Sequence, residues 1–417
     1  MSSLLRSETG TDRAFLRYFA SAFGFFLWFP ALAVPAGPMS LQVVDLLAVA
    51  SWPLLITQLP KTGPRSFTVI CLSLFSALVA FQGETSAMIL AYYFLFLTPF
   101  LLMVSHIIMR DFARMAFVKS FAFGGAVSCV LFLAQIVVGA DLLDFRNNTN
   151  FSLPPQHGRG FALFPEVSTF ATHVIYLLAV LIVAWRSGVI RKFFPYGRTV
   201  SLIIIALICL ALSKSSSVLV ILPAVLLLAY LKGRRLTYKG LLGVLLACGI
   251  LVIALQLYYS EFYLQRAEGS AMRSIGLRLV TMKTGLSVIE NGEIFGVGLG
   301  NNEAVTYRSY EVARHMGFPL ILLPKGINSF VVARIFEEGW MAILFFGMAA
   351  IYLLGAIRSK CEDPWLRCLV ALAFASFLVS LLVTGYRGIY MNWFWIAAAP
   401  AIVDCVKLRR RGVVQRG

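Results

Sequence analysis

The chain has 417 residues, 59% of them hydrophobic and 13% charged, with a formal net charge of +17. A mean hydropathy of +0.84 leaves too little polar surface for a soluble fold of this length, so composition points to a membrane protein. The positive charge is scattered in short clusters between apolar runs, a pattern of membrane topology rather than of a groove for nucleic acid.

A spanning helix needs about 20 mostly apolar residues to cross roughly 30 Å of hydrocarbon, and the sequence offers about 12 such segments. The first follows the basic start MSSLLRSETGTDR and covers Ala14–Val34. It ends in FPALAVPAGP without a small-residue cleavage site, so it reads as a retained span rather than a signal peptide. Leu41–Leu59, Phe67–Gln82, Ala87–Ile108, Ala116–Val138 and Ser168–Trp185 complete the first half. The second half holds Thr199–Leu212, Val218–Leu231, Gly240–Tyr258, Ser329–Ile357, Leu366–Thr384 and Ile389–Val406. The expected fold is therefore an all-α polytopic membrane protein, one integral membrane domain over 1–417. Two connections are long: 139–167 and 259–327. Loops of the second length are functional or disordered in most proteins, and its stretch IGLRLVTMKTGLSVI has the pattern of a helix lying across one face.

Basic residues alternate with this count. Arg13 and Arg17, Lys61 and Arg65, Arg110 and Arg114, Arg191 and Lys192, Arg234 and Arg235, Arg358 and Lys360, and the tail Arg409–Arg411 fall on one side. The short loops of the other side hold only Arg146, Arg159, Lys214 and Arg387. The positive-inside rule then places both termini in the cytoplasm and both long loops outside.

The outer face carries the residues of chemical interest. GRGFALFPEVST puts Arg159 and Glu166 at the mouth of the sixth span, and the long loop adds Arg273 and Arg278 among other basic residues. Guanidinium forks bind phosphate oxygens bidentately, so such arginines beside apolar spans suit an anionic lipid diphosphate; solvated loop charge or headgroup contact is the alternative. INSFVVARIFEEGW places Arg334, Glu337 and Glu338 within or at the edge of the tenth span. Charges there cost about 2.5–3.5 kcal/mol each on insertion scales and should face protein or water. Their spacing allows an ion pair on one helical face, which would serve either packing or function. Lys214 in LSKSSSV and Arg387 in TGYRGIYMNW stand at outer span ends, where snorkelling also explains them.

The seven cysteines and four histidines show no metal or disulfide spacing, and no P-loop, Rossmann glycine pattern or serine-hydrolase elbow is present. No metal or other cofactor is expected. FGVGLGN, Phe295–Asn301, reads as a turn rather than a phosphate cradle.

Four stretches in order resemble the bacterial O-antigen polymerase and O-antigen ligase superfamily. RGFALFPEVSTFA is similar to its arginine-to-span motif, and LSKSSSVLVIL to its step between two spans, with Lys214 in place of the usual arginine. RLVTMKTGLSVIENGEIFGVGLGNNE resembles its long-loop signature, and NSFVVARIFEEGW the segment after that loop. The resemblance covers about 159–339. It implies a GT-C-like glycosyltransferase of the inner membrane, acting at the outer face on sugars carried by undecaprenyl diphosphate and accompanied by a chain-length regulator and a flippase. Ligases of this family carry a histidine just before the Asn/Ser position. Here Asn328 and Ser329 stand without it, which favours a polymerase of O-antigen or exopolysaccharide over a ligase acting on lipid A-core; a lipid-linked glycan transporter is the reading from another class. For a polymerase, Arg159 and Arg278 would stabilise charge on the leaving diphosphate, with Arg273 as substitute, in place of a metal. Glu166 would be the base at the acceptor hydroxyl, with Glu337 the runner-up. Asn328, Arg334, Lys214 and Arg387 would line the cavity.

Overall fold

The computed structural model describes residues 10–36, 39–59, 62–140, 142–144, 160–189, 196–233, 270–317, 326–359, 361–382 and 389–410. The protein is a helical membrane protein. Among the described residues five helices are long and apolar enough to cross a bilayer: Ser86–Met109, Asp111–Val138, Val167–Arg186, Trp340–Arg358 and Pro364–Leu382.

Helix α1 (Gly10–Phe26) is followed by a hairpin of β1 (Ala33–Ala36) and β2 (Met39–Gln42), antiparallel with Ala33 opposite Gln42. The first expected span is thus shorter than Ala14–Val34. Pro30 and Pro35 disfavour helix for the residues before them, and the chain turns into strand instead. The second expected span, Leu41–Leu59, is also divided, into α2 (Val43–Ala50) and α3 (Trp52–Gln58). The break is at Ser51, whose hydroxyl turns back to the Ala48 carbonyl at 2.7 Å directly before the Trp52-Pro53 start of α3.

Helix α4 (Pro64–Val79) leads to α5 (Gly83–Tyr92), a π turn at Tyr93–Leu97, and α6 (Thr98–Met109). Pro99 explains the π turn. It has no N–H to offer the Leu95 carbonyl, which instead accepts the indole N–H of Trp52 at 3.3 Å, and Thr98 bonds back to the Tyr93 carbonyl at 2.8 Å. Helices α7 (Asp111–Val138), α8 (Val167–Arg186), α9 (Tyr196–Ser213) and α10 (Ser216–Gly233) follow. The ninth expected span, Gly240–Tyr258, lies outside the described residues. Helices α11 (Ser270–Glu290) and α12 (Asn302–His315) precede α13 (Phe330–Glu338), α14 (Trp340–Arg358), α15 (Pro364–Leu382) and α16 (Tyr390–Arg410).

The tenth expected span is not one helix. It breaks at Gly339, whose φ of +63° is a left-handed conformation that L side chains adopt at a cost. The charged segment is therefore a separate nine-residue helix, α13, and the spanning helix begins at Trp340.

Long-range hydrogen bonds define two ends of the bundle. At one end, Arg114 pairs with Asp363 at 2.7 Å and Arg409 pairs with Asp111 at 2.5 Å and Asp363 at 3.2 Å. These contacts join the start of α7, the start of α15 and the end of α16. Arg65 at the start of α4 meets Asp404 near the end of α16. At the other end, Ser376 of α15 bonds to the Met391 carbonyl at the start of α16. Between the ends, the Cys368 thiol near the start of α15 lies 3.8 Å from the Val180 carbonyl, late in α8, so those two helices run antiparallel. Helix α8 is buried along most of its length. Its tightly packed apolar side chains hold these ends in register.

Candidate active site

The beginning of α8 and the end of α15 lie at the same end of the bundle, opposite the Arg114–Asp363 cluster. Here the chain before α8 is held by Gln135, in the last turn of α7. Its Oε1 accepts the backbone N–H groups of Phe161 at 2.9 Å and Ala162 at 2.6 Å. Its Nε2 donates to the carbonyls of Ala162 and Leu143, both at 3.0 Å. All four bonding positions of the amide are used. Gly160 completes the grip, because a Cβ there would come within 2.9 Å of the Phe132 carbonyl oxygen. Arg159, the residue before Gly160, lies outside the described residues, as does Arg387. Glu166 is half-buried at the N-cap of α8, and its carboxylate accepts the Ser168 hydroxyl.

A second assembly is built on α13. Ser329 caps the helix, accepting the Val332 N–H at 3.3 Å and donating to the Leu381 carbonyl at 2.7 Å at the end of α15. Asn328 is partly exposed beside it. Arg334 is fully buried and forms ion pairs with both Glu337 and Glu338. Its Nη1 also donates to the Tyr93 hydroxyl at 2.7 Å. Glu338 accepts Tyr93 Oη–H at 3.0 Å and Ser76 Oγ–H at 2.6 Å. The π turn and α4 are thereby tied to α13. A buried pair with this many donors compensates the desolvation that a lone charge would suffer.

The segment after α11 wraps the same helix. Val297 N–H bonds to the Phe336 carbonyl at 3.0 Å, Gly298 N–H to the Glu337 carbonyl at 3.1 Å and Leu299 N–H to the Ala80 carbonyl at 3.1 Å. Gly300 N–H points to Glu337 Oε1 at 3.3 Å. These bonds require backbone against backbone. A Cβ on Gly296 would stand 2.5 Å from the Glu337 carbonyl, and one on Gly339 would stand 2.3 Å from the Ile294 oxygen. The glycines of FGVGLGN thus make a turn that docks on α13. Helix α11 packs there too: Gly285 lies so close to Val332 that a Cβ would overlap its side chain.

Arg278 on α11 is half-buried, and among the described residues its guanidinium forms no ion pair. Arg273 lies one turn or so earlier on α11, its side chain undescribed. Lys214 occupies the turn between α9 and α10 with φ of +50°. The structure brings Arg334 and Glu337 into direct contact and seats the Arg278 helix on theirs. Among the described residues no hydrogen bond or ion pair joins Glu166 to Arg334 or Arg278. Sequence reasoning missed Gln135, Tyr93 and Ser76. A lone amide in the apolar run of α7 was a usable signal for Gln135; Tyr93 and Ser76 carried none, because each resembles its neighbours in an apolar helix. Among the described residues no three His, Cys, Asp or Glu side chains gather as a metal-ligating group.

No family model matches this chain, and no curated protein matches it.

Proposed function

We propose that the protein is a polysaccharide polymerase of GT-C-like, roughly twelve-span architecture. It would join undecaprenyl-diphosphate-linked repeat units at the outer face of a bacterial inner membrane, with both termini cytoplasmic. The observation that carries the reading is the docking of two of the four family-like stretches. Residues 278–303 and 328–340, separate in sequence, form one unit through Val297–Phe336 and Gly298–Glu337 backbone bonds. That unit carries Arg278, a half-buried cation, near the middle of α11.

The step is displacement at the anomeric carbon of the donor sugar. The bond to the lipid diphosphate breaks as the acceptor hydroxyl forms the new glycosidic bond. Negative charge grows on the leaving diphosphate, where Arg159 and Arg278 stabilise it through preorganised charge. The hydroxyl proton passes to Glu166, or to Glu337 if its partner Arg334 is drawn to the substrate. Glu166 is oriented for this by its hydrogen bond with Ser168 and by its place at the helix start.

The test uses the purified protein with the lipid-diphosphate repeat extracted from cells of the source bacterium lacking this protein, with and without EDTA, and sizes the products on a gel. A ladder that survives EDTA and disappears in Arg159→Ala and Arg278→Ala supports the reading. Transfer of the glycan to lipid A-core instead would make the protein a ligase. Bound but unchanged lipid would replace both enzymatic readings with transport.

A further inference from the structure

We propose that Ile294, Phe295 and Trp340 form an apolar wedge seated in the headgroup layer of the bilayer, so that the glycine turn is anchored by lipid as well as by α13. The inference needs only that α14 crosses a membrane, and it stands whether or not the chain transfers sugars.

Trp340 is the first residue of α14, and of the five spanning candidates α14 is the least buried inside the protein. Its exposed large apolar side chains are Trp340, Leu344, Ile351 and Leu354. At 100° per residue these four fall within one narrow stripe along the helix, the face that meets lipid tails. Trp340 therefore stands at the level where that stripe meets the polar layer, the depth that indole rings favour.

The turn is joined to this point by backbone. Trp340 N–H donates to the Ile294 carbonyl at 2.9 Å, and the approach is so close that neither Gly339 nor Gly296 has room for a Cβ. Ile294 and Phe295 must then lie at nearly the same depth as Trp340. They are 57% and 52% exposed, against 43% for Trp340. Three large apolar side chains continuing a lipid stripe make a surface suited to phospholipid and poorly suited to water. The next residues, Val297 and Gly298, are bonded to Phe336 and Glu337, so the wedge also sets the height of α13 and its buried Arg334.

The full-length chain would carry Cys71→Ser, Cys248→Ser and Cys361→Ser, leaving buried thiols, plus one reporter cysteine. Phe295→Cys is compared with Asn302→Cys, exposed at the start of α12, and with Leu344→Cys on the lipid stripe. Each is labelled with a nitrobenzoxadiazole fluorophore in phosphatidylcholine nanodiscs with or without doxyl-labelled lipid. The expected result is doxyl quenching at 295 at least about threefold that at 302 and close to that at 344, with protection from aqueous iodide. Iodide quenching at 295 equal to that at 302, without doxyl quenching, would overturn the wedge. So would shielding from both quenchers, which would mean protein cover. Trp340→Cys supplies the same comparison if Phe295→Cys is not monodisperse on gel filtration.

Discussion

Tyr93 donates its phenolic proton to Glu338 across 245 positions of sequence, at 3.0 Å, while accepting a hydrogen bond from Arg334 at 2.7 Å. One hydroxyl thereby joins a π turn of a spanning helix to both members of an ion pair on a short helix. Tyr93→Phe removes this bridge without changing the ring, and should cost about 1–3 kcal/mol because Arg334 and Glu338 remain buried. Arg334→Ala strands two carboxylates and should cost about 3–5 kcal/mol. Thermal unfolding in detergent would rank the two variants; equal melting temperatures for both and wild type would remove the network from the account of stability.

The glycines of the turn separate two costs. Gly292 has φ of +70° with open space around it, so Gly292→Ala meets backbone strain alone, about 1 kcal/mol. Gly296→Ala and Gly339→Ala meet similar strain and also a carbonyl at 2.5 Å or less, so the turn must lift from α13. We expect Gly339→Ala to lower the melting temperature clearly more than Gly292→Ala does and, under the proposed polymerase function, polymer yield as well. The reverse order in a side-by-side melt would be incompatible with the docked turn.

Gln135 makes four hydrogen bonds to backbone, each worth roughly 1 kcal/mol net. Gln135→Leu should free the Gly160–Ala162 segment and expose it to proteolysis in purified membranes. Gln135→Glu keeps the two acceptor contacts but sets a buried carboxylate oxygen against the Ala162 and Leu143 carbonyls, so its effect should be at least as large as that of Leu. Cleavage rates near residue 160 would show this order. If the segment also positions Arg159 for the diphosphate, polymer yield follows the same series.

Cys361, between α14 and α15, offers a prediction about pH. Burial, reinforced by the nearby Asp363 carboxylate, pushes its thiol up to about 11. A raised thiol pKa means less thiolate at any pH below it, and the thiolate is the reactive form. In a variant keeping Cys361 as its accessible thiol, alkylation should climb about tenfold per pH unit from pH 8 to 10. A rate that levels off near pH 9 would show an ordinary, solvated thiol.

The membrane class and most of the helices were legible because apolar runs of spanning length report hydrocarbon directly. The breaks were not. A hydropathy window reads Ser329–Ile357 as one segment, since a single Gly339 barely alters its mean, yet that glycine's positive φ separates α13 from α14. Leu41–Leu59 was divided for a similar reason, at Ser51-Trp52-Pro53. Of the site, sequence spacing was enough to pair Arg334 with Glu337 and Glu338, because both offsets are helical neighbours. Ser76, Tyr93 and Gln135 reach their partners across tertiary contacts, which leave no periodic trace.

The turn at Val297–Gly300 bonds to α13 on one side and, through Leu299, to the Ala80 carbonyl at the end of α4 on the other. Trimming the long connection to a short linker would therefore leave the last carbonyls of α4 and α13 without these donors. A reduced version of this protein that keeps the spanning helices would have to keep residues 294–300 as well, as a mortar course between them. The segment easiest to mistake for an insertion is part of the masonry.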